Sequence, residues 1–195
     1  MTATTTRRAL LAGAAAATLP RLAFGQSERA FVIDWQGGER TPELAAALDA
    51  QIAIVKALRI KPGIATFFAD QVITVDREAG TKTRAGPRGV FFQRSPLPPP
   101  EDPVLLHELL HRYHLLRLPD GRANRTVIRF YDAAKARGDW PAQAYLYTNP
   151  LEFFAMVASV TLCGHAARPP YTRMLVRQKL PEIYDWLVGE FGLTV

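Results

Sequence analysis

His107-Glu108-Leu109-Leu110-His111 is the stretch that decides how this chain folds and what it can bind. Residues four positions apart lie about 40° from each other around a helix, so both imidazoles can face one ion. Glu108 then faces the space beside that ion, where a water would bind. A glutamate between two histidines at this spacing is typical of a helical zinc site in which the carboxylate acts as a general base.

The flanking residues predict a helix over about 103–118. Asp102 can cap it with Pro103 at the first helical position, and Leu118-Pro119-Asp120-Gly121 is a stop signal. Outside the motif this helix is apolar on nearly every side, which is typical of a buried helix, and buried imidazoles and carboxylates need partners such as a metal. The alternative is a core helix with two hydrogen-bonded histidines. Arg112 departs from the usual pattern, since zinc peptidases usually carry an uncharged residue there.

The first 25 residues predict a cleaved export signal. Arg7-Arg8 precede an apolar, alanine-rich run, and Ala23-Phe24-Gly25 is a small-residue cleavage pattern. The paired arginines indicate bacterial twin-arginine export, so we expect a periplasmic or secreted protein. An uncleaved anchor is the alternative, although the apolar run is short for a membrane span. Residues 26–195 are then expected to form a single catalytic domain.

Composition favours a globular domain without a nucleic acid partner. Hydrophobic residues make up 48% of the 195, enough for a sizeable core. Removal of the signal takes away three arginines and no acid, so the net charge falls from +6 to +3, too weakly basic to indicate nucleic acid binding. We expect no stable membrane insertion after cleavage. The lone Cys163 is interpreted as a small core residue rather than a nucleophile.

Hydrophobic patterning predicts an α+β fold, with a small N-terminal sheet followed by zinc-binding helices. Strands are expected at 30–35, 71–75 and 89–93, and further helices at about 41–57, 124–137, 150–163 and 181–191. Between the last two strands, residues 76–88 should form a loop or hairpin tip. Segment 89–93 could pair with an extended substrate by strand addition, or be a plain core strand. Proline-rich residues 95–100 should form a stiff connector.

A catalytic zinc takes three protein ligands and keeps a fourth position for water. His114 lies about 10.5 Å along a straight helix from His107, which predicts a supporting or packing role. His165 follows a glycine in a predicted loop and remains a candidate ligand. Glu152 is favoured, because it is an acid in a helix that is otherwise apolar on every side. The alternative for Glu152 is a capping box, in which its side chain bonds the Asn149 backbone.

The motif at 107–111 is followed by a second block, Tyr145-x-x-Thr148-Asn149-x-x-Glu152-Phe153-Phe154-Ala155. Together the two blocks resemble the catalytic domain of anthrax-lethal-factor-like zinc peptidases, over roughly residues 89–191 of this chain. The resemblance implies a zincin-like fold and one Zn²⁺ per chain, held by the two motif histidines and Glu152. It also implies that Tyr145 lies over the metal and assists at the oxyanion, with Tyr147 as the alternative donor.

The sequence therefore predicts an exported zinc-dependent metallopeptidase acting on a peptide or protein substrate. Zinc would polarise the scissile carbonyl and acidify its water, while Glu108 would carry the proton to the leaving amine. One alternative is an inactive zinc-binding periplasmic binding or scaffold protein of the same fold. Another is a metal-free interaction domain in which His107 and His111 are hydrogen-bonded in a dry core.

Overall fold

A four-stranded sheet forms the N-terminal part of the structure, a computed structural model that describes residues 30–77 and 80–194. Its strands are β1 (Ile33–Trp35), β2 (Val72–Val75), β3 (Arg84–Ala85) and β4 (Gly89–Phe92), in the spatial order β1-β2-β4-β3. The pairs β1–β2 and β2–β4 are parallel, whereas β3 runs antiparallel to β4. The export signal predicted at residues 1–25 lies outside the described residues.

Two helices connect β1 to β2: α1 (Pro42–Lys56) and α2 (Pro62–Ala69). Thr41 caps α1 by accepting the Leu44 N–H at 3.2 Å, as its sequence suggests. Helix α2 begins at Pro62, because proline fits the first helical position. The sequence prediction missed α2, which buries Phe67 and Phe68 in the core.

Strand β4 lies inside the sheet and not at its edge. It pairs with β2 on one side and with β3 on the other. A Cβ at Gly89 would collide with the Val72 backbone, so glycine is required for this close pairing. Strand addition needs unpaired backbone groups, so the expectation that 89–93 receives an extended substrate is wrong. The outer strand on this side is β3, within the segment predicted to be a loop or hairpin tip.

Helix α3 (Val104–Leu116) carries the histidine motif through the core. Four leucines on it are fully buried: Leu105, Leu106, Leu109 and Leu110. The predicted cap at Asp102 is wrong. Pro103 occupies the cap position without a side-chain bond, and Asp102 Oδ1 instead accepts the Ala167 N–H at 2.9 Å. The Asp102 carboxylate therefore bonds a distant part of the chain instead of capping α3.

The remaining helices are α4 (Arg125–Arg137), α5 (Pro150–Cys163), α6 (Arg173–Lys179) and α7 (Pro181–Phe191). Asn124 caps α4, and left-handed Gly138 and Gly164 end α4 and α5. The bounds of α4, α5 and α7 agree with prediction, whereas the seven-residue α6 was missed. The α+β class is confirmed. Among the described residues, no helix is long and apolar enough to cross a membrane.

Candidate metal centre

Helices α3 and α5 bring three side chains together in a triangle of ligating atoms. His107 Nε2 lies 3.0 Å from His111 Nε2 and 3.1 Å from Glu152 Oε2. The third side, from His111 Nε2 to Glu152 Oε2, measures 3.4 Å. Two of the three groups sit one helical turn apart on α3, and the third reaches them from the first turn of α5.

The triangle has the size that a tetrahedral zinc requires. Ligand atoms about 2.0–2.1 Å from such an ion lie about 3.3 Å from one another. Two imidazole nitrogens and a carboxylate oxygen are also ligand types that zinc accepts. Solvent reaches 12% of the His107 side chain, 11% of His111 and 18% of Glu152, so the group is largely buried but open on one side. The residues therefore fit a zinc ion with one position left for a water.

The Glu152 carboxylate faces the imidazoles, while Asn149 caps α5 with its own side chain. Asn149 Oδ1 accepts the N–H groups of Leu151 at 2.9 Å and of Glu152 at 3.0 Å. Burial alone would raise the pKa of the Glu152 carboxyl, but hydrogen bonds and charges from His107 and His111 hold that pKa far below its ordinary value. Glu152 is therefore an anion at neutral pH, the form in which a carboxylate can bind a metal ion.

Glu108 lies beside this triangle. Its carboxylate and the ligating nitrogens of His107 and His111 all fall within 4.8 Å of one another. Glu108 Oε2 accepts the Ala85 N–H of strand β3 at 2.7 Å. Burial raises the pKa of the Glu108 carboxyl, and the two imidazoles and the Ala85 N–H partly oppose that rise. A carboxylate with a raised pKa next to a metal site has the properties of a general base.

The two candidate tyrosines have different environments, although both belong to the short 3-10 turn before α5. The Tyr145 ring lies 6.5 Å from the His107 ring, and its hydroxyl interacts with the Glu152 carboxylate. Burial and the Glu152 charge raise the pKa of Tyr145 to about 12. Tyr147 is buried and donates its hydroxyl to the Ala134 carbonyl at 2.9 Å. Of the two phenols, only that of Tyr145 is at the site.

The other two histidines lie apart from the triangle. His114 is fully buried against Phe154, with ring centroids 4.8 Å apart, and neither of its ring nitrogens makes a hydrogen bond. The nearby Gly121 backbone favours the protonated form of the ring and so partly opposes the effect of burial on its pKa. Burial, and secondarily His111, lower the pKa of His114 to about 4. His165 is exposed, and its backbone pairs with Thr172 in an isolated bridge.

Sequence reasoning missed a second contact between the motif helix and the sheet. Arg112 donates to Gln71 Oε1 at 2.9 Å and to the carbonyls of Gly86 at 2.8 Å and Pro87 at 2.9 Å. The Arg112 guanidinium, which stands where zinc peptidases usually carry an uncharged residue, therefore binds the β3–β4 turn. Its position four residues after Glu108 was a signal that the two side chains share a helix face, but the sequence did not indicate what they face.

Comparisons with known proteins give a fold but no family. No family model matches the chain, and no curated protein matches it. Among solved structures, the chain is similar to the PRO-PRO endopeptidase (PPEP-2) from Paenibacillus alvei, with a TM-score of 0.55 and 18% identity. The match covers 82% of this chain and 97% of that chain. With its small sheet and the seven α-helices of its described part, the chain has a zincin-like metallopeptidase fold.

Proposed function

We propose that this protein is an exported zinc metallopeptidase that cleaves within peptide chains. The observation that carries the proposal is the triangle formed by His107, His111 and Glu152, with Glu108 and Tyr145 beside it. The zincin-like fold supports it, because the similar solved structure is an endopeptidase. We also propose the anthrax-lethal-factor-like type, on the spacing between the histidine motif and the block that contains Tyr145 and Glu152.

His107, His111 and Glu152 would hold one Zn²⁺. When bound, that ion supplies Lewis acidity to the scissile carbonyl and to a water in the fourth position. Two neutral imidazoles and one carboxylate leave a net positive charge at such a site. The site therefore attracts the carbonyl oxygen of a substrate as negative charge develops on it.

Glu108 would move the proton. Its buried carboxylate takes a proton from the attacking water and delivers it to the nitrogen of the departing amine. A raised pKa favours this cycle, because the protonated carboxyl must form and then be lost in each turnover. The Ala85 N–H fixes Oε2 and with it the direction of the carboxylate.

Tyr145 would donate a hydrogen bond to the oxyanion. With its pKa raised to about 12, the phenol remains protonated at neutral pH and can donate. A donor of this kind, well placed, lowers the barrier by roughly 2–4 kcal/mol. Its side chain is 46% exposed, so a substrate can reach it.

The name of the similar endopeptidase makes a bond between two prolines the first cleavage site to test.

The deciding experiment uses the purified chain without residues 1–25. Its zinc content is measured, and it then digests a peptide library that includes Pro-Pro sequences, with and without chelator. We expect about one zinc per chain and chelator-sensitive cleavage that Glu108→Gln abolishes. Zinc without cleavage of any peptide would instead fit an inactive zinc-binding protein of this fold. Protein that binds no zinc would fit a metal-free interaction domain.

A further inference from the structure

Two side chains of α3, one helical turn apart, bind three consecutive residues of the β3–β4 hairpin. Glu108 Oε2 accepts the Ala85 N–H at 2.7 Å. Arg112 Nη1 donates to the carbonyls of Gly86 at 2.8 Å and Pro87 at 2.9 Å. The proposed base and Arg112 therefore bind the same short segment from the same helix.

The arginine is itself fixed at its other side. Its Nε donates to Gln71 Oε1 at 2.9 Å, and Gln71 is buried and donates to the Phe67 carbonyl at 2.9 Å. The planar Arg112 guanidinium thus links the segment after α2 to the hairpin turn. A lysine could not replace it, because a single ammonium group cannot donate in these fixed directions at once.

Strand β3 depends on such contacts because it is so short. It has two residues, Arg84 and Ala85, and pairs only with β4. The Ala85 N–H points away from β4 and toward α3, since it bonds Glu108. The nearby Arg84 cannot replace Arg112, because its guanidinium binds Asp76 at 2.8 Å.

We propose that Arg112 is a positioning residue for the general base. By fixing the Gly86–Pro87 turn against α3, it holds the Ala85 N–H on Glu108 and so sets the direction of that carboxylate. The proposal rests on the proposed function for its kinetic consequence, but the hydrogen bond itself can be measured without turnover or metal.

The first test follows the Ala85 amide by NMR in metal-free protein. A short bond to a carboxylate should move its proton downfield and slow its exchange with solvent. Arg112→Met should return the chemical shift of the Ala85 amide proton toward the range of free amides. It should also speed the exchange of that proton with solvent at least about tenfold, because amide exchange reports local opening. Arg125→Met, at an exposed arginine of α4, is the matched control and should change neither. An unchanged Ala85 amide in Arg112→Met would overturn the proposal.

The second test is a double-mutant cycle in which an ester replaces the amide of residue 85, through incorporation of the α-hydroxy analogue of alanine. The ester removes the N–H that bonds Glu108 without adding atoms there and without breaking a β3–β4 hydrogen bond. Each single change should lower kcat about tenfold with KM nearly unchanged, and the pair should lower it no further, because both remove one interaction. Additive losses would show that Arg112 acts elsewhere. If the wild-type protein cleaves no peptide, the proposed function fails, and the amide measurement still decides this proposal.

Discussion

The Nε2 atom of His107 lies 3.1 Å from Oε2 of Glu152, a residue 45 positions away in sequence. The first comes from the first turn of α3 and the second from the first turn of α5, and both helices are lined with fully buried residues. The packing of two helices therefore sets this distance.

Loss of Glu152 should remove the metal. Glu152→Ala leaves two neutral imidazoles and no anion, so we expect zinc affinity to fall on the order of 100-fold or more. Competition with a chromophoric chelator measures it. Glu182→Ala, at an acid whose side chain is 77% exposed, is the control and should bind zinc normally. Full zinc in Glu152→Ala would exclude it as a ligand.

Glu108→Gln should separate metal binding from catalysis. The amide has the shape of the carboxylate, and its oxygen can still accept the Ala85 N–H, but it cannot take a proton. We expect normal zinc content and a fall in kcat of about 10²–10⁴-fold. Parallel metal analysis and peptide kinetics test this. Cleavage at the wild-type rate would mean that another group is the base.

The two tyrosines of the 3-10 turn should respond in opposite ways to loss of their hydroxyls. Tyr145→Phe should lower kcat by about 10²–10³-fold with thermal stability nearly unchanged, since Tyr145 is exposed and its hydroxyl contacts only the Glu152 carboxylate of the site. Tyr147→Phe should leave kcat near wild type but cost about 0.5–1.5 kcal/mol of unfolding free energy, because one buried hydrogen bond is lost while the Ala134 carbonyl still accepts the Gly138 N–H. Peptide kinetics and urea unfolding of both variants test these two expectations. A large loss of kcat in Tyr147→Phe but not in Tyr145→Phe would make Tyr147 the oxyanion donor instead.

Helices with strong end signals were predictable from sequence, and short elements were not. Asn124 and Gly138 lie at the two ends of α4, and Asn149 and Gly164 lie at the two ends of α5. Local chemistry alone therefore determined where these helices begin and end. Helix α6 is too short to show a clear period, and α2 begins within a Lys-Pro-Gly sequence that resembles a helix break. Two-residue β3 exists only because β4 and α3 lie beside it.

The residues of the candidate site also differ in how far the sequence could predict their positions. The spacing of His107 and His111 is a property of one helix, so it could be predicted without a fold. The approach of Glu152 to the histidines depends on how α5 packs on α3. The sequence indicated it only indirectly, by placing an acid in an otherwise apolar helix and by a resemblance to known peptidases. The contacts of Arg112 depend on the position of a hairpin that is set by strand pairing, which no local pattern encodes.

Acid should destabilise the fold through His114, which is fully buried with no hydrogen bond to either ring nitrogen. Burial lowers its pKa from 6.5 to about 4. Between these values the unfolded chain binds a proton that the folded protein does not, so the free energy of unfolding decreases as pH falls from about 6.5 to 4. The full shift corresponds to roughly 2–4 kcal/mol.

His114→Leu should remove this contribution, since leucine has no ionisable group and fills a similar volume. Urea unfolding at pH 7.5 and 4.5, in chelator so that release of metal does not contribute, measures the difference for each protein. We expect the variant to lose roughly 2–4 kcal/mol less than wild type on acidification. His165→Leu, at an exposed histidine, is the matched control and should behave as wild type. An equal loss in His114→Leu and wild type would show that His114 titrates normally and that its burial does not control acid stability.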